Sequence, residues 1–216
     1  MPGVVGSDES GKGDYFGPLV VAATLVHEIH FGMLTELGIK DSKRLSDAKI
    51  LKMAPPLIPS FQHNIVVVSP RKYNELYNKF KNLNRLLAWA HARSIENLLM
   101  DTSPDLILVD QFANSKILES MLFEKTRKKL LIQRVQGESH ISVALASIFA
   151  RFKFLEQIKA LGEKIGMKLP KGASREVESI ASEIYSRKGI DGLYEVAKIH
   201  FKTTKKIDKS FIDVAR

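Results

Sequence analysis

Short apolar runs alternate with longer amphipathic stretches along the chain, and their order predicts a strand-and-helix fold. Residues 3–7 (GVVGS) and 18–27 (PLVVAATLVH) read as strands, from their β-branched content and the turn residues between them. NIVVVS, at 64–69, is a third strand, ended by Pro70. PRKYNELYNKF is then helical, with Pro70 in the first turn, where its missing N–H is tolerated. Over 82–101 the apolar positions Leu83, Leu86, Leu87, Ala90, Ile95, Leu98 and Leu99 fall largely on one helical face. DLILVDQF (105–112) is a continuous apolar run after Ser103-Pro104, the pattern of a buried central strand, and LLIQRV (130–135) is another. SVALASIFARFKFLEQIKAL begins a long helix, and 173–200 reads as two more. No repeat or low-complexity linker interrupts the pattern. An α/β sheet with helices packed on it follows.

Composition narrows the chemistry. At 216 residues the chain can bury one sizeable core. It holds no cysteine, so disulfides and thiolate metal sites are excluded and any metal must be held by oxygen or imidazole. No apolar run reaches the ~18 residues of a membrane span. The N-terminus MPGVVGSDES is no signal peptide, so a cytoplasmic protein is the default reading. The net charge is +9 and lies entirely in the second half. Residues 1–110 carry 12 basic and 12 acidic side chains, and residues 111–216 carry 21 against 12. That asymmetry suits a polyanionic partner, although a merely solubilising surface would look the same.

The stretch VVGSDESGKGDYFGP, residues 4–18, is nearly a phosphate-binding P-loop, with Gly6 followed after four residues by Gly11-Lys12. Three features exclude that reading. Gly13 stands where Ser or Thr would reach Mg²⁺. A turn-rich path follows instead of a helix whose N-terminus faces phosphate. Asp8 and Glu9 would also repel the anion the loop should attract.

Carboxylates here suit a hard divalent cation instead. Asp110 ends the apolar strand DLILVD, and strand ends in α/β sheets open onto the functional crevice. It serves equally well as a cap before QFANS. Glu138, in VQGESH before the long helix, is either a ligand or a first-turn Glu favoured by the helix dipole. Neighbouring residues on a regular strand point to opposite faces. Glu9 is therefore expected where the strand ends or bulges, helped by Gly11 and Gly13. Two ions about 4 Å apart, flanked by four carboxylates, suit phosphodiester hydrolysis.

Taken together, GSDESGKGDYFGPLVVAA, IKDSKRLSD, NLNRLLAWAHARSIENLL, LVDQF, SVALASIFARFKFLEQI, KLPKGAS and HFKTTKKI resemble the type 2 ribonucleases H, specifically the ribonuclease HIII subgroup. These seven ordered motifs run from residue 6 to about 207. The resemblance implies a ribonuclease H-like α/β fold, a central mixed five-stranded sheet flanked by helices. It implies one catalytic domain over 1–216, with a sheet-bearing core to about 165 and a helical extension over about 166–216. It also implies endonucleolytic cleavage of the RNA strand of RNA–DNA hybrids, by two Mg²⁺ or Mn²⁺ ions, giving 5′-phosphate and 3′-hydroxyl ends. Motif by motif, the ligands and catalytic residues fall on Asp8, Glu9, Asp110 and Glu138. The last is a departure, since Asp is common there in the related HII enzymes.

Under the resemblance, the Gly11-Lys12-Gly13 segment approaches the minor groove and reads 2′-hydroxyls, the group that separates RNA from DNA. Lys12 departs from the threonine usual in HIII and is closer to the basic residue of HII enzymes, leaving cleavage at single ribonucleotides open. Lys43 matches a position near the scissile phosphate. Asn82 and Asn84 are candidates to contact the DNA strand, or one of them caps the helix. Trp89 reads as core, and His91 and His140 as structural. The run KTTKK, with Lys202, Lys205 and Lys206, either positions phosphates or is a frayed cationic tail. Ribonuclease HIII proteins usually carry an N-terminal substrate-binding domain, for which three residues before Val4 leave no room, so the expectation is either a natural lack of that domain or an excised catalytic fragment. The expected partner is the hybrid duplex alone, with no membrane and no protein partner implied, and the expected state a monomer.

Overall fold

The structure, a computed structural model, describes residues 3–110, 115–123, 126, 131–134 and 140–208; at 41, 43, 115 and 131–134 it describes the backbone only. Strand β1 (Gly3–Ser10) pairs antiparallel with β2 (Leu19–His27), from Gly3 opposite His27 to Ser10 opposite Val20. Three further strands, β3 (His63–Val68), β4 (Leu106–Asp110) and β5 (Leu131–Arg134), complete one sheet in the order β3-β2-β1-β4-β5. The β1–β4 and β4–β5 pairs are parallel, so the sheet is mixed. In chain order the helices are α1 (Phe31–Glu36), α2 (Asp47–Leu57), α3 (Pro70–Phe80), α4 (Leu83–Leu99), α5 (Ser115–Met121), α6 (Ile141–Ile165), α7 (Arg175–Val196) and α8 (Lys202–Ile207).

Two compact units form. The first holds Met1–Ser10, Val20–Val66 and Asn84–Lys153, and the second Gly11–Leu19, Val67–Leu83 and Phe154–Arg216. In the first unit both faces of the sheet are covered, which is why β2 is buried at every position but its last and, Thr24 apart, apolar over those positions. Val5, Ala23, Leu25, Ile107 and Val109 pack one face against Ala88, Ala92, Ile95 and Leu98 of α4. On the other face, Val4 and Leu108 pack on Val143 of α6. A Cβ on Gly6 would lie 2.2 Å from the Ser142 carbonyl carbon, so only glycine lets β1 meet the backbone of α6. The Thr24 hydroxyl donates to the Ser142 carbonyl (2.8 Å) and fixes the same junction.

In the second unit, α3 starts at Ser69-Pro70, the Ser69 hydroxyl accepting from the Lys72 N–H (3.3 Å). Asn74 of that helix is buried, donating to the Ala197 carbonyl (2.9 Å) and accepting from the Ile199 N–H (3.1 Å). Helix α7 is broken at Gly189 (φ 62°, ψ −161°), so 175–196 holds the two helical pieces expected of this region. The turn after β1 is held by the C-terminal segment. Tyr15 N–H donates to Gly172 (2.9 Å), Gly17 N–H to Val196 (2.9 Å), and Lys198 N–H to the Tyr15 carbonyl (2.8 Å). Fully buried Lys198 donates its Nζ to the carbonyls of Asp14 (2.8 Å) and Gly17 (2.7 Å). Burial pushes its pKa down to about 7, partly opposed by the charge of Asp14.

Candidate active site

The two faces of β1 place its acids differently. Val4, Gly6 and Asp8 face α6, whereas Val5, Ser7 and Glu9 face α4. Asp8 and Asp110 lie one residue beyond the paired Ser7 and Val109, where the parallel pairing of β1 with β4 ends. Asp8 is only 7% exposed. Its carboxyl is held well above the usual carboxylate range, first by burial and then by the negative charge of Glu9. Asp110 adds to the rise, while the Glu9 N–H (2.8 Å from Oδ1) and the Ser147 hydroxyl of α6 oppose it. Of the expected acids, Glu9 and Asp110 are therefore both within electrostatic reach of Asp8. Glu138 lies outside the described residues.

Of the two placements expected for Glu9, a bulge is absent, and Glu9 stands one residue before the end of β1. Pairing with β2 stays regular through Asp8 opposite Ala22, Glu9 opposite Val21 and Ser10 opposite Val20. Ser10 remains in the ladder because β2 continues beside it, so the strand outruns the apolar stretch GVVGS. The Glu9 carboxylate accordingly leaves on the α4 side, where its Oε2 lies 3.1 Å from His91 Nε2. Among the described residues, no group of three or more His, Asp or Glu is gathered closely enough to hold a metal ion. The donor chemistry nonetheless fits one. Burial and two anionic neighbours all disfavour the ionised form of Asp8, and a bound divalent cation offsets all three.

The ribonuclease HII family profile matches residues 5–204. Nearly the whole described chain is thus accounted for by one family. The chain belongs to the ribonuclease HII family. A ribonuclease HIII from Protochlamydia amoebophila is 43% identical over 202 residues, covering 92% of this chain and 66% of that protein. One from Bacillus mycoides is 40% identical over 213 residues, covering 94% of this chain and 67% of that protein. This ribonuclease chain therefore spans about two thirds of the length of these two relatives. The crystal structure of Bst-RNase HIII in complex with Mn²⁺ superposes with a TM-score of 0.89 at 35% identity, covering 95% of this chain and 69% of that one. The ribonuclease H fold follows.

The two glycines of the Gly11-Lys12-Gly13 segment differ. Gly11 has φ 87°, and a Cβ there would lie 2.3 Å from the Pro18 carbonyl oxygen and 2.8 Å from the Phe154 ring. Its own turn requires glycine. A Cβ on Gly13 would meet nothing within 4 Å, so packing places no such demand on the exposed Gly13. Lys12 between them is half-buried. Asn82 is exposed, and Asn84 falls inside the first turn of α4 rather than before it. The side chain of Lys43 lies outside the described residues; its backbone is in a short 3₁₀ segment, Ile39–Arg44. KTTKK is no frayed tail. It forms most of α8, with Thr203 and Thr204 buried, Tyr15 Oη bonded to Thr204 (2.9 Å) and Lys206 paired with Glu178. No helix among the described residues is long and apolar enough to cross a membrane.

Three polar residues of this ribonuclease carry more than its sequence announced. His91 is fully buried on α4 and bonded on both ring nitrogens, to Ser7 and to Glu9. Its signal is that it interrupts the apolar face with Leu87, Ile95 and Leu98. Ser147 reaches Asp8 from α6, and Lys198 ties down the turn after β1. Trp89 is half-buried, and His140 bonds the Ser142 hydroxyl (2.9 Å).

Proposed function

We propose that this chain hydrolyses the RNA strand of RNA–DNA hybrids internally, in the cytoplasm and as a monomer. Asp8, Glu9, Asp110 and Glu138 would hold two divalent cations, Mg²⁺ or Mn²⁺. When bound, these supply an activated water and neutralise charge on the leaving oxygen. The observation that carries this reading is the buried Asp8 carboxyl, raised by burial and by the charges of Glu9 and Asp110. Such a group is costly without a counter-charge and useful with one.

Hydrolysis adds water across the P–O3′ bond. The water oxygen ends on the 5′-phosphate, and the departing 3′ oxygen takes a proton. Gly11, Lys12 and Gly13 read the 2′-hydroxyl in the minor groove, Lys43 offsets charge at the scissile phosphate, and Asn82 and Asn84 contact the DNA strand. The basic excess of the second half supplies salt-dependent affinity for the duplex.

A substrate panel tests this directly: a hybrid, a single ribonucleotide in duplex DNA, duplex DNA and duplex RNA, each with Mg²⁺ and with Mn²⁺. Internal cuts in the hybrid with new 5′-phosphates are expected, and none in either homoduplex. Cleavage that survives a chelator, or is confined to duplex DNA, overturns the reading. The single-ribonucleotide substrate reports what Lys12 does to substrate preference.

A further inference from the structure

We infer that His91 is a positioning residue that aims the Glu9 carboxylate and so tunes the affinity of the acidic site for divalent cations. This rests on the reading of Asp8, Glu9 and Asp110 as cation ligands.

The difficulty it resolves is geometric. Glu9 leaves a regular strand on the face opposite Asp8, so its carboxylate is not directed by the backbone toward the other acids. Its longer side chain must be held in place by something else. Ser7 and Glu9, two residues apart, lie on the same strand face, and His91 of α4 spans them. The ring is completely buried. It stands among Leu87, Ala88, Ala92 and Ile95, at a position where packing alone favours an aliphatic side chain. A buried imidazole there is tolerated because both nitrogens are bonded.

The bonds have a direction. The Glu9 carboxylate can only accept, so the hydrogen of that contact is the His91 Nε2–H. On the other side of the ring, Nδ1 lies 2.8 Å from the Ser7 hydroxyl, which is itself 3.0 Å from the Ala22 carbonyl. With the ring anchored at Nδ1, Nε2 is aimed at Glu9 Oε2, 3.1 Å away. Glu9 held in this way still acts on Asp8, as the second-largest cause of its raised pKa. One carboxylate oxygen thus faces the histidine while the charge of the group reaches the acidic cluster. Partners of this kind, behind the ligands of a cation, commonly set affinity by 10–100-fold.

The test is calorimetric titration of the 216-residue protein with Mn²⁺, alongside its unfolding temperature without cation. His91→Phe keeps a ring of similar size and removes both nitrogens; His91→Gln keeps an N–H able to reach Glu9. Mn²⁺ affinity should fall by about 10–100-fold in His91→Phe and by no more than about 3-fold in His91→Gln. Raising Mn²⁺ should then restore hybrid cleavage to His91→Phe. Equal affinities in the two variants, whether unchanged or equally weakened, overturn the inference. Should neither fold, Ser7→Ala, which unlocks the ring at Nδ1, must weaken Mn²⁺ binding; an unchanged affinity is equally fatal. Asp8→Asn separates the two levels. If it binds Mn²⁺ like the parent, the acidic site itself is wrong. If it loses binding while His91→Phe does not, only the role of His91 is.

Discussion

Gly6 of β1 and Ser142 at the start of α6 are in backbone contact, with a Cβ on Gly6 placed 2.2 Å from the Ser142 carbonyl carbon and from the Val143 nitrogen. The strand that carries Asp8 and the helix that carries Ser147 are registered at this point. Gly6→Ala must push α6 away from the sheet. Overpacking of this kind costs about 1–3 kcal/mol, or roughly 2–12 °C of unfolding temperature at 2–4 °C per kcal/mol. Cleavage should fall further than that loss explains, because the Asp8–Ser147 contact opens with the helix. Thermal unfolding and hybrid cleavage on one preparation check both.

Asp8→Asn should separate stability from activity. Burial and its anionic neighbours raise the Asp8 pKa, so the folded state holds that proton more tightly than the unfolded chain does. Its favourable contribution is therefore present at acid pH and lost as pH rises through and above the ordinary carboxylate range. At neutral pH and without cation, Asp8→Asn should unfold at a higher temperature than the parent. Cleavage should drop by about 10³-fold, the scale of losing a group that manages charge in the transition state. Mn²⁺ should raise the melting temperature of the parent and not of the variant.

The two glycines of the loop should behave oppositely. Gly11→Ala meets both a positive φ and the Pro18 carbonyl, so a loss of about 1–3 kcal/mol is expected. Gly13→Ala enters open space and should stay within about 0.5 kcal/mol of the parent. If this loop reads the minor groove, Gly13→Ala raises KM for the hybrid with little change in kcat. Steady-state kinetics beside urea unfolding distinguishes the two.

Lys198 makes stability depend on alkaline pH. With its pKa near 7 when folded and at 10.5 when unfolded, only the unfolded chain holds the proton between those values. Stability should therefore rise with pH from about 7, by up to about 1.4 kcal/mol per pH unit. Above pH 10 the trend turns down, because burial raises Tyr15 to about 12 and the folded state then keeps its proton longer. Lys198→Met should flatten the rise between pH 7 and 9.5. Urea midpoints across that range are the measurement.

The elements of the sheet were legible because apolar runs such as LVVAATLV and LILV can only be buried strands. The apolar pattern alone ends β1 three residues short, since Asp8, Glu9 and Ser10 look like loop until β2 is laid beside them. Residues 28–60 carry two short helices and three 3₁₀ turns too brief to show a period; only Ser46, which caps α2 through the Lys49 N–H, leaves a local mark. Asp8, Glu9 and Asp110 are legible as charges that follow apolar runs. His91 and Ser147 are not, because their roles arise only when two helices pack on opposite faces of one strand. Lys198 was hidden among the basic residues of the second half, where it counted as surface charge although it is fully buried.

The Tyr15 hydroxyl meets Thr204 across 189 residues of sequence. Its neighbours Gly17 and Asp14 are held by Val196 and Lys198. A ribosome adding 5–20 residues per second takes about 10–40 s to travel that distance. Throughout that interval the last partner of the turn does not yet exist. The turn after β1 is therefore completed late in synthesis, although it is among the first segments of the chain to be made.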